Sequence, residues 1–246
     1  MYVRSGFMLI EVKSLVIATI SIVSCLAFLV FITASWEQVG WLGLWVYAGV
    51  MIAIFGSWIL LVGRRNIGKN LLETSDFAII ALFAALLMVV DAGSMFAPGL
   101  SILWFIAPSL AGPLLSYLPM GIVLGAALKL SPKPGSAFTL FFVYSGIIAQ
   151  VLFFNPVWIP RSLLCALGLE AYYLSSKRGT TSSLVIMGVM FGMLVPSSAA
   201  IFQIYSWGYW QPLFTTLPAA ILSGITMAIG AFLGSRLGER AKTITY

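Results

Sequence analysis

The chain has 246 residues, of which 61% are hydrophobic and 8% are charged, and its formal net charge is +6. It contains no histidine, which excludes histidine-ligated haem, histidine-based metal clusters and the Ser-His and Cys-His catalytic arrangements. A chain this apolar is predicted to lie in a lipid bilayer. Its basic residues then face anionic lipid, and nucleic acid is not expected as a partner.

Eight apolar runs follow one another along the sequence with almost no charge inside them. They comprise residues 14–34, 41–62, 77–96, 100–130, 135–154, 159–174, 182–204 and 212–235. Backbone polar groups in a bilayer core must be paired within the segment, so runs of this length are predicted to be helices. The predicted fold class is an all-α integral membrane protein with about eight transmembrane helices. The sixth run is short, and it is expected to be tilted or to enter only part of the bilayer.

The basic residues lie in every second gap between these runs. Twelve of the 13 Lys and Arg residues fall on one face of the membrane, and only Arg161 falls on the other. The positive-inside rule therefore predicts cytoplasmic termini, and an even number of spans agrees with that orientation. The expected location is the plasma membrane. Cys25 and Cys165 both lie inside predicted spans, so no disulfide framework is expected.

The polar stretch 63–76 divides the chain into two predicted parts. Residues 1–66 are predicted to form a transmembrane hairpin, and residues 67–246 a six-helix body that carries the function. Residues 63–70 nearly match a phosphate-binding loop. However, Asn70 replaces the hydroxyl residue that ligates magnesium, and the stretch follows a membrane span rather than a strand. We interpret it as a basic cytoplasmic turn, and the chain itself is not expected to hydrolyse ATP.

Three charged residues within or at the edge of the spans are candidates for a site, because a charge in lipid costs about 2.5–3.5 kcal/mol or more. Asp91 lies near the outer end of the third run and is either an interfacial turn residue or a functional group. Arg161 begins the sixth run and is either an interfacial anchor or part of a site. Glu170 lies roughly 13 Å further along a helix. That depth favours contact with a polar ligand or partner over a structural role.

The last outer loop is rich in aromatic and amide side chains and carries no charge. Its members are Gln203, Tyr205, Trp207, Tyr209 and Trp210. One interpretation is an aromatic belt at the level of the lipid headgroups. The alternative is an aromatic cage that closes over a ligand from outside, with Asn155 and Trp158 as a second wall. Aromatic groups above a buried carboxylate suit a small heteroaromatic nutrient.

Small residues at helical spacing predict close packing between helices. Glycines four residues apart occur on the fourth, seventh and eighth runs: Gly121 and Gly125, Gly188 and Gly192, and Gly230, Gly234 and Gly238. They are expected to pack mostly within the chain. Ala81 and Ala85 share one face of the third run, where they serve either packing within the chain or a partner.

Between residues 77 and 242 the chain resembles the substrate-binding S components of energy-coupling factor (ECF) transporters. The resemblance rests on six spans with both ends inside, on the Ala-x-x-x-Ala face of Ala81 and Ala85, and on small and basic residues from Gly230 to Lys242. It is greatest for the branch linked to thiamine and its hydroxymethylpyrimidine precursor. The supporting segments are Met95-Phe96-Ala97-Pro98, Trp104-Phe105-Ile106, Lys133-Pro134-Gly135, Asn155-Pro156 and Leu167-Gly168-Leu169-Glu170-Ala171.

This resemblance implies a membrane subunit that binds a vitamin or vitamin precursor from outside, with no cofactor or metal of its own. Ala81 and Ala85 would dock on the transmembrane T component, which works with two cytoplasmic ATPases. The alternative is a structural accessory subunit of a membrane complex that binds no small molecule. An enzyme is not expected, because no arrangement of nucleophile and base is visible.

The resemblance also implies roles for the candidate residues. Glu170 would pair with the amino group and ring nitrogen of a pyrimidine, and Arg161 would bind a phosphate or pair with Asp91. The remaining candidates would surround the ring, with stacking by Trp158, Trp207, Tyr209 and Trp210 and orientation by Asn155 and Gln203.

Overall fold

Helices account for almost all of the chain that the structure describes. The computed structural model describes residues 2–63, 72–96, 112–153, 158–207 and 213–245, with side chains described for most of them. These ranges contain no strand, so the predicted all-α class is confirmed for them. The helices are α1 (Tyr2–Gly63), α2 (Thr74–Phe96), α3 (the π-helical turn Gly112–Tyr117 followed by Leu118–Leu130), α4 (Ser136–Phe141, the π-helical segment Phe142–Ile148, and Ala149–Phe153), α5 (Ile159–Ser175), α6 (Thr181–Trp207) and α7 (Leu213–Thr245).

Several helices are long and apolar enough to cross a bilayer. Within the described ranges, four segments have that length and hydropathy: Leu42–Val62, Thr74–Gly93, Thr181–Phe202 and Thr216–Thr243. Shorter apolar helices cover Val12–Phe28, Leu115–Leu130 and Ser136–Leu152. The outward surface is apolar as well, as in the row of exposed isoleucines Ile221, Ile225 and Ile229 on α7. The chain is therefore an all-helical membrane protein.

The polypeptide of α1 doubles back on itself. The rings of Phe28 and Tyr47 are stacked with centroids 4.0 Å apart. On one straight helix these residues would be about 28 Å apart, so the direction of the chain reverses between them. The predicted boundary between hairpin and body, at residues 66 and 67, lies outside the described residues.

The second half of α1 packs into the core formed with the other helices. The Phe55 ring packs against Gly168 of α5, where a Cβ atom would lie 3.0 Å from the ring. The Trp58 indole N–H donates a hydrogen bond of 2.7 Å to the Ser175 hydroxyl at the end of α5. As a result α5 is enclosed by α1, α4 and α6, and nearly all of its residues are buried.

One end of the bundle carries several basic residues together. Lys133, in the turn between α3 and α4, makes ion pairs of 2.7 Å with Asp76 and with Glu73, which precedes α2. Its hydrogen bonds to Asp76 and then to Glu73 raise the pKa of Lys133 above the ordinary value. At the same end Lys129 lies 3.6 Å from Glu239 of α7. The turn between α3 and α4 and the C-terminal part of α7 therefore lie together at one end of the bundle.

Glycines let α7 approach two other helices at backbone distance. A Cβ atom on Gly121 of α3 would lie 2.9 Å from the Cα atom of Gly230 on α7. A Cβ atom on Gly234 would overlap the carbonyl of Ile122 on α3. On the other side of α7, a Cβ atom on Gly188 of α6 would lie 2.9 Å from the Cα atom of Ala228. The small-residue pairs predicted from the sequence thus pack within the chain, between α3, α7 and α6.

Replacing Gly234 with Ala should destabilise the protein by about 1–3 kcal/mol, because the added methyl group meets rigid backbone of α3. Thermal unfolding of the purified chain in detergent measures this loss. Gly56→Ala is the matched control, since a Cβ atom at Gly56 has no neighbour within 4 Å. The control should leave the unfolding temperature unchanged or slightly raised, because Ala favours a helix. Equal stability of the two variants would contradict the close contact between α3 and α7.

Candidate functional site

Arg161 lies in the first turn of α5 with its side chain directed into the bundle. Pro160 precedes it at a position where a helix tolerates proline. Only 7% of Arg161 is exposed. Its Nε–H donates to the Ser198 hydroxyl at 3.2 Å and its Nη2–H to the Val195 carbonyl at 2.9 Å. The residue is therefore a guanidinium buried in the protein and held by α6.

Trp158 covers this guanidinium. The Arg161 guanidinium carbon lies 4.8 Å from the centroid of the Trp158 ring, which is a cation–π contact. The backbone of Trp158 also contacts the first turn of α5, since the Ser162 hydroxyl donates to the Trp158 carbonyl at 3.1 Å. Two of the predicted site residues are thus brought together at the beginning of α5.

Asp91 of α2 faces the same region. The Tyr144 hydroxyl of α4 donates a hydrogen bond of 2.6 Å to Asp91 Oδ2. The Asp91 carboxylate also interacts electrostatically with Arg161, and Tyr117 of α3 lies close enough to interact with both charges. A carboxylate, a guanidinium and two tyrosines therefore lie in the same part of the bundle. We call Asp91, Tyr117, Tyr144, Trp158, Arg161 and Ser198 the arginine cluster.

The N-terminal hairpin reaches the edge of the arginine cluster. The Cys165 thiol of α5 lies 3.4 Å from the Ser198 hydroxyl. Cys25 of α1 interacts with Cys165 and with Arg161, and it lies beside Tyr47. Both cysteines are free and buried. Six of the seven helices in the described ranges, α1 to α6, thus contribute residues to this region.

Glu170 lies elsewhere and makes a different kind of contact. Its Oε1 atom accepts the Gly135 N–H at 2.7 Å, and its Oε2 atom accepts the Phe138 N–H at 3.0 Å. Gly135 has a φ of 88° and immediately precedes α4, so the carboxylate caps the first turn of that helix. Both oxygens are engaged by the backbone. This geometry favours a structural role, and the predicted contact of Glu170 with a ligand stays a prediction.

The predicted site residues thus separate into groups. Asp91, Trp158 and Arg161 come together, whereas Glu170 is about 13 Å from Arg161 along α5. Three candidates, Asn155, Tyr209 and Trp210, lie outside the described residues. Three more, Gln203, Tyr205 and Trp207, lie in the final turns of α6, of which only the backbone is described. Because α6 passes Arg161 at Val195 and Ser198, these turns continue beyond the arginine cluster at the end where Trp158 lies.

Sequence reasoning missed several members of the arginine cluster. Tyr117, Tyr144 and Ser198 lie inside apolar runs, where single tyrosines and serines are common. One signal was available, because Ser197 and Ser198 directly follow Pro196 in the middle of an apolar helix. Proline removes a backbone donor and disturbs a helix, and neighbouring hydroxyls can pair with backbone groups beside it, as the Ser198 hydroxyl does with the Val195 carbonyl. For a metal, the searched part of the chain offers no group of three or more His, Cys, Asp or Glu side chains.

Comparison with protein-family models, with curated protein sequences and with solved structures finds no match for this chain. The class of the protein therefore follows from its own features. It is an all-helical membrane protein with a buried cluster of aromatic, hydroxyl and charged side chains around Arg161.

Replacing Glu170 with Gln should lower stability by about 1.5–3 kcal/mol, because the amide keeps one acceptor oxygen and its NH2 group cannot accept from the second backbone N–H. Glu239→Gln is the control, since Glu239 is half-exposed and its ion pairs are 3.6 Å long. Thermal unfolding of both variants gives the comparison. If Glu170→Gln unfolds like the control while it loses binding of a small molecule, Glu170 is a ligand residue rather than a cap.

Proposed function

We propose that this protein is the substrate-binding S component of an ECF-type ABC importer for a vitamin or vitamin precursor, with thiamine or hydroxymethylpyrimidine as the ligand. The observation that carries the proposal is the arginine cluster. A guanidinium inside a membrane bundle is costly, and such residues generally serve a ligand, a pathway or a partner. A few convergent polar groups among aromatic rings are typical of small-molecule sites.

The roles of the residues in this proposal follow from their contacts. Arg161 donates hydrogen bonds to acceptor atoms of the ligand, and Trp158 forms an aromatic wall beside it. Asp91, held by Tyr144, takes the part that the resemblance implied for Glu170 and accepts a hydrogen bond from the amino group of a pyrimidine. The aromatic loop at 203–210 and Asn155 close the site from outside.

The proposed topology has eight spans with both termini on the cytoplasmic face of the plasma membrane. It is supported by the ion-paired lysines Lys129 and Lys133 at one end of the bundle and by the position of Arg161 at the start of α5. Lys177 and Arg178 follow α5 near the same turn, since a Cβ atom on Gly179 would lie 2.9 Å from the Pro132 side chain. Cytoplasmic basic loops would be expected there.

Cysteine labelling of intact cells checks this topology. In a Cys25→Ala, Cys165→Ala background, a membrane-impermeant maleimide should label substitutions at Gly99, Val157 and Gly208. It should not label substitutions at Asn66, Lys177 and Gly179 until the cells are permeabilised. Labelling of the second set in intact cells would show that the proposed orientation is wrong.

The proposed partners are a transmembrane T component and two cytoplasmic ATPases. Ala81 and Ala85 are exposed on one face of α2, and the neighbouring Leu82 is 68% exposed. Small side chains let a second helix approach closely, which is how helices associate in lipid. This face of α2 is therefore the proposed docking surface for the T component.

The Ala81→Trp, Ala85→Trp double variant tests both the function and this surface. Two indole rings should block a partner sterically, so uptake of thiamine or hydroxymethylpyrimidine by the reconstituted transporter should be lost. Ligand binding by the isolated chain should persist, because the arginine cluster faces the interior. Ala78→Trp, at the cytoplasmic start of α2, gives a milder obstruction for comparison. Normal uptake by the double variant would rule out this surface, whereas absence of binding even in the wild type would favour a structural accessory subunit.

A further inference from the structure

Helix α2 is joined to the rest of the bundle by polar contacts near its two ends. We propose that α2 is a hinged gate, with a pivot at Asp76 and a moving end at Asp91, and that its outward swing opens the arginine cluster on the side of α2. The swing is a property of the chain alone, whereas the part of the proposal in which it admits a ligand rests on the proposed function.

One face of α2 is buried and the opposite face is exposed. Ile80, Ala84 and Leu87 are at most 1% exposed, whereas Leu82 is 68% and Val89 is 66% exposed. In a bilayer, a helix gains little from exchanging lipid contacts for apolar contacts with another helix. The polar contacts of α2 with α3 and α4 therefore decide how firmly each end of this helix is held.

The start of α2 is held to the turn between α3 and α4. Asp76 accepts a hydrogen bond of 3.0 Å from the Ser131 hydroxyl and forms an ion pair of 2.7 Å with Lys133. The same turn is fixed to the centre of the bundle, because Glu170 of α5 accepts the Gly135 N–H at 2.7 Å. This end of α2 is therefore suited to act as a pivot.

The far end of α2 makes a contact of a different kind. Asp91 lies 15 residues after Asp76, about 22 Å along a helix. It accepts a hydrogen bond of 2.6 Å from Tyr144, which lies in the π-helical segment Phe142–Ile148 of α4. Such segments are rare and occur frequently at functional sites. A Cβ atom at Gly93 would meet no neighbour within 4 Å among the described residues, so the last turns of α2 have room to move.

Breaking the contact between Asp91 and Tyr144 would let α2 swing outward about Asp76. A tilt of about 10° over this length would move the far end by about 4 Å. Hinge closure and opening of this kind are a common way for a protein to control access to a site. The swing would carry Asp91 away from the other members of the arginine cluster.

Distances between pairs of spin labels test this movement in lipid nanodiscs, with neither ligand nor partner present. In a background without cysteine, one pair of labels is attached at Val89 and Ile221 and reports the far end of α2. The second pair is attached at Phe77 and Leu237 and reports its start. All four positions are exposed, so the labels should not disturb the core.

Tyr144→Phe removes the hydroxyl that holds Asp91. The distance between the labels at the far end should lengthen by about 4 Å in a part or all of the molecules, and the distance at the start should not change. Tyr172→Phe is the matched control, because it also removes a buried phenol, which donates to the Ser183 carbonyl at 3.1 Å between α5 and α6. The control should change neither distance.

The pivot is tested with the Ser131→Ala, Lys133→Gln double variant, which frees Asp76 from the turn. This variant should change the distance at the start of α2. An unchanged start would place the pivot elsewhere and overturn the proposal. Tyr144→Phe also overturns it if the far end stays in place, or if both ends shift equally, since α2 would then detach as a whole. Thermal unfolding confirms that each variant is folded. Because no ligand is used, these failures leave the proposed function standing, and absence of ligand binding leaves the hinge standing.

Discussion

The contact of α7 with α3 and α6 is the constraint on which the rest of this bundle depends. Apolar side chains gain little from leaving lipid for another helix, so association in a bilayer relies on close packing. Along α7 one face is small, with Gly230 and Gly234 against the backbone of α3, and the opposite face is a row of exposed isoleucines. This division holds three helices at fixed separation and rotation, and the position of Ser198 on α6 follows from it.

Buried polar groups then fix the register of the other helices. Each buried charge contacts a group on a different helix: Arg161 the Val195 carbonyl, Glu170 the first turn of α4, and Asp76 the Ser131 hydroxyl. An unpaired polar group in such an interior costs more than a paired one gains. Sliding α5 along its neighbours by one turn would break two of these contacts at once. The contacts therefore specify one arrangement among helices whose apolar surfaces would tolerate several.

The two deep carboxylates show how surroundings assign different roles to the same chemistry. Glu170 accepts two backbone N–H groups that no residue within α4 could pair, so it completes that helix. Asp91 accepts a hydrogen bond from the Tyr144 hydroxyl and faces a guanidinium. Its contacts are therefore with side chains that can move. A ligand can contact Asp91 when the surrounding side chains adjust. To contact Glu170, it would have to displace hydrogen bonds to the backbone.

The helices were predictable from the sequence, because long apolar runs leave the backbone no other way to pair its polar groups. Close packing through Gly121, Gly188 and Gly234 was also predictable, because small residues four positions apart lie on one face of a helix. The partner of Glu170 was not, because Gly135 lies 35 positions earlier and no local pattern links them. Tyr144 was also missed, since a tyrosine in an apolar run resembles an ordinary core residue until the fold brings Asp91 to it.

The N-terminal hairpin shows why a division drawn from composition says little about packing. The polar stretch at 63–76 separates two apolar parts of the sequence, yet Phe55 and Trp58 pack on α5. The hairpin covers α5 and α6, whereas α2 packs on α3 and α4 and leaves the Ala81 face exposed. The second half of the hairpin contributes Phe55 to the surface that buries Gly168 of α5, three positions beyond Cys165.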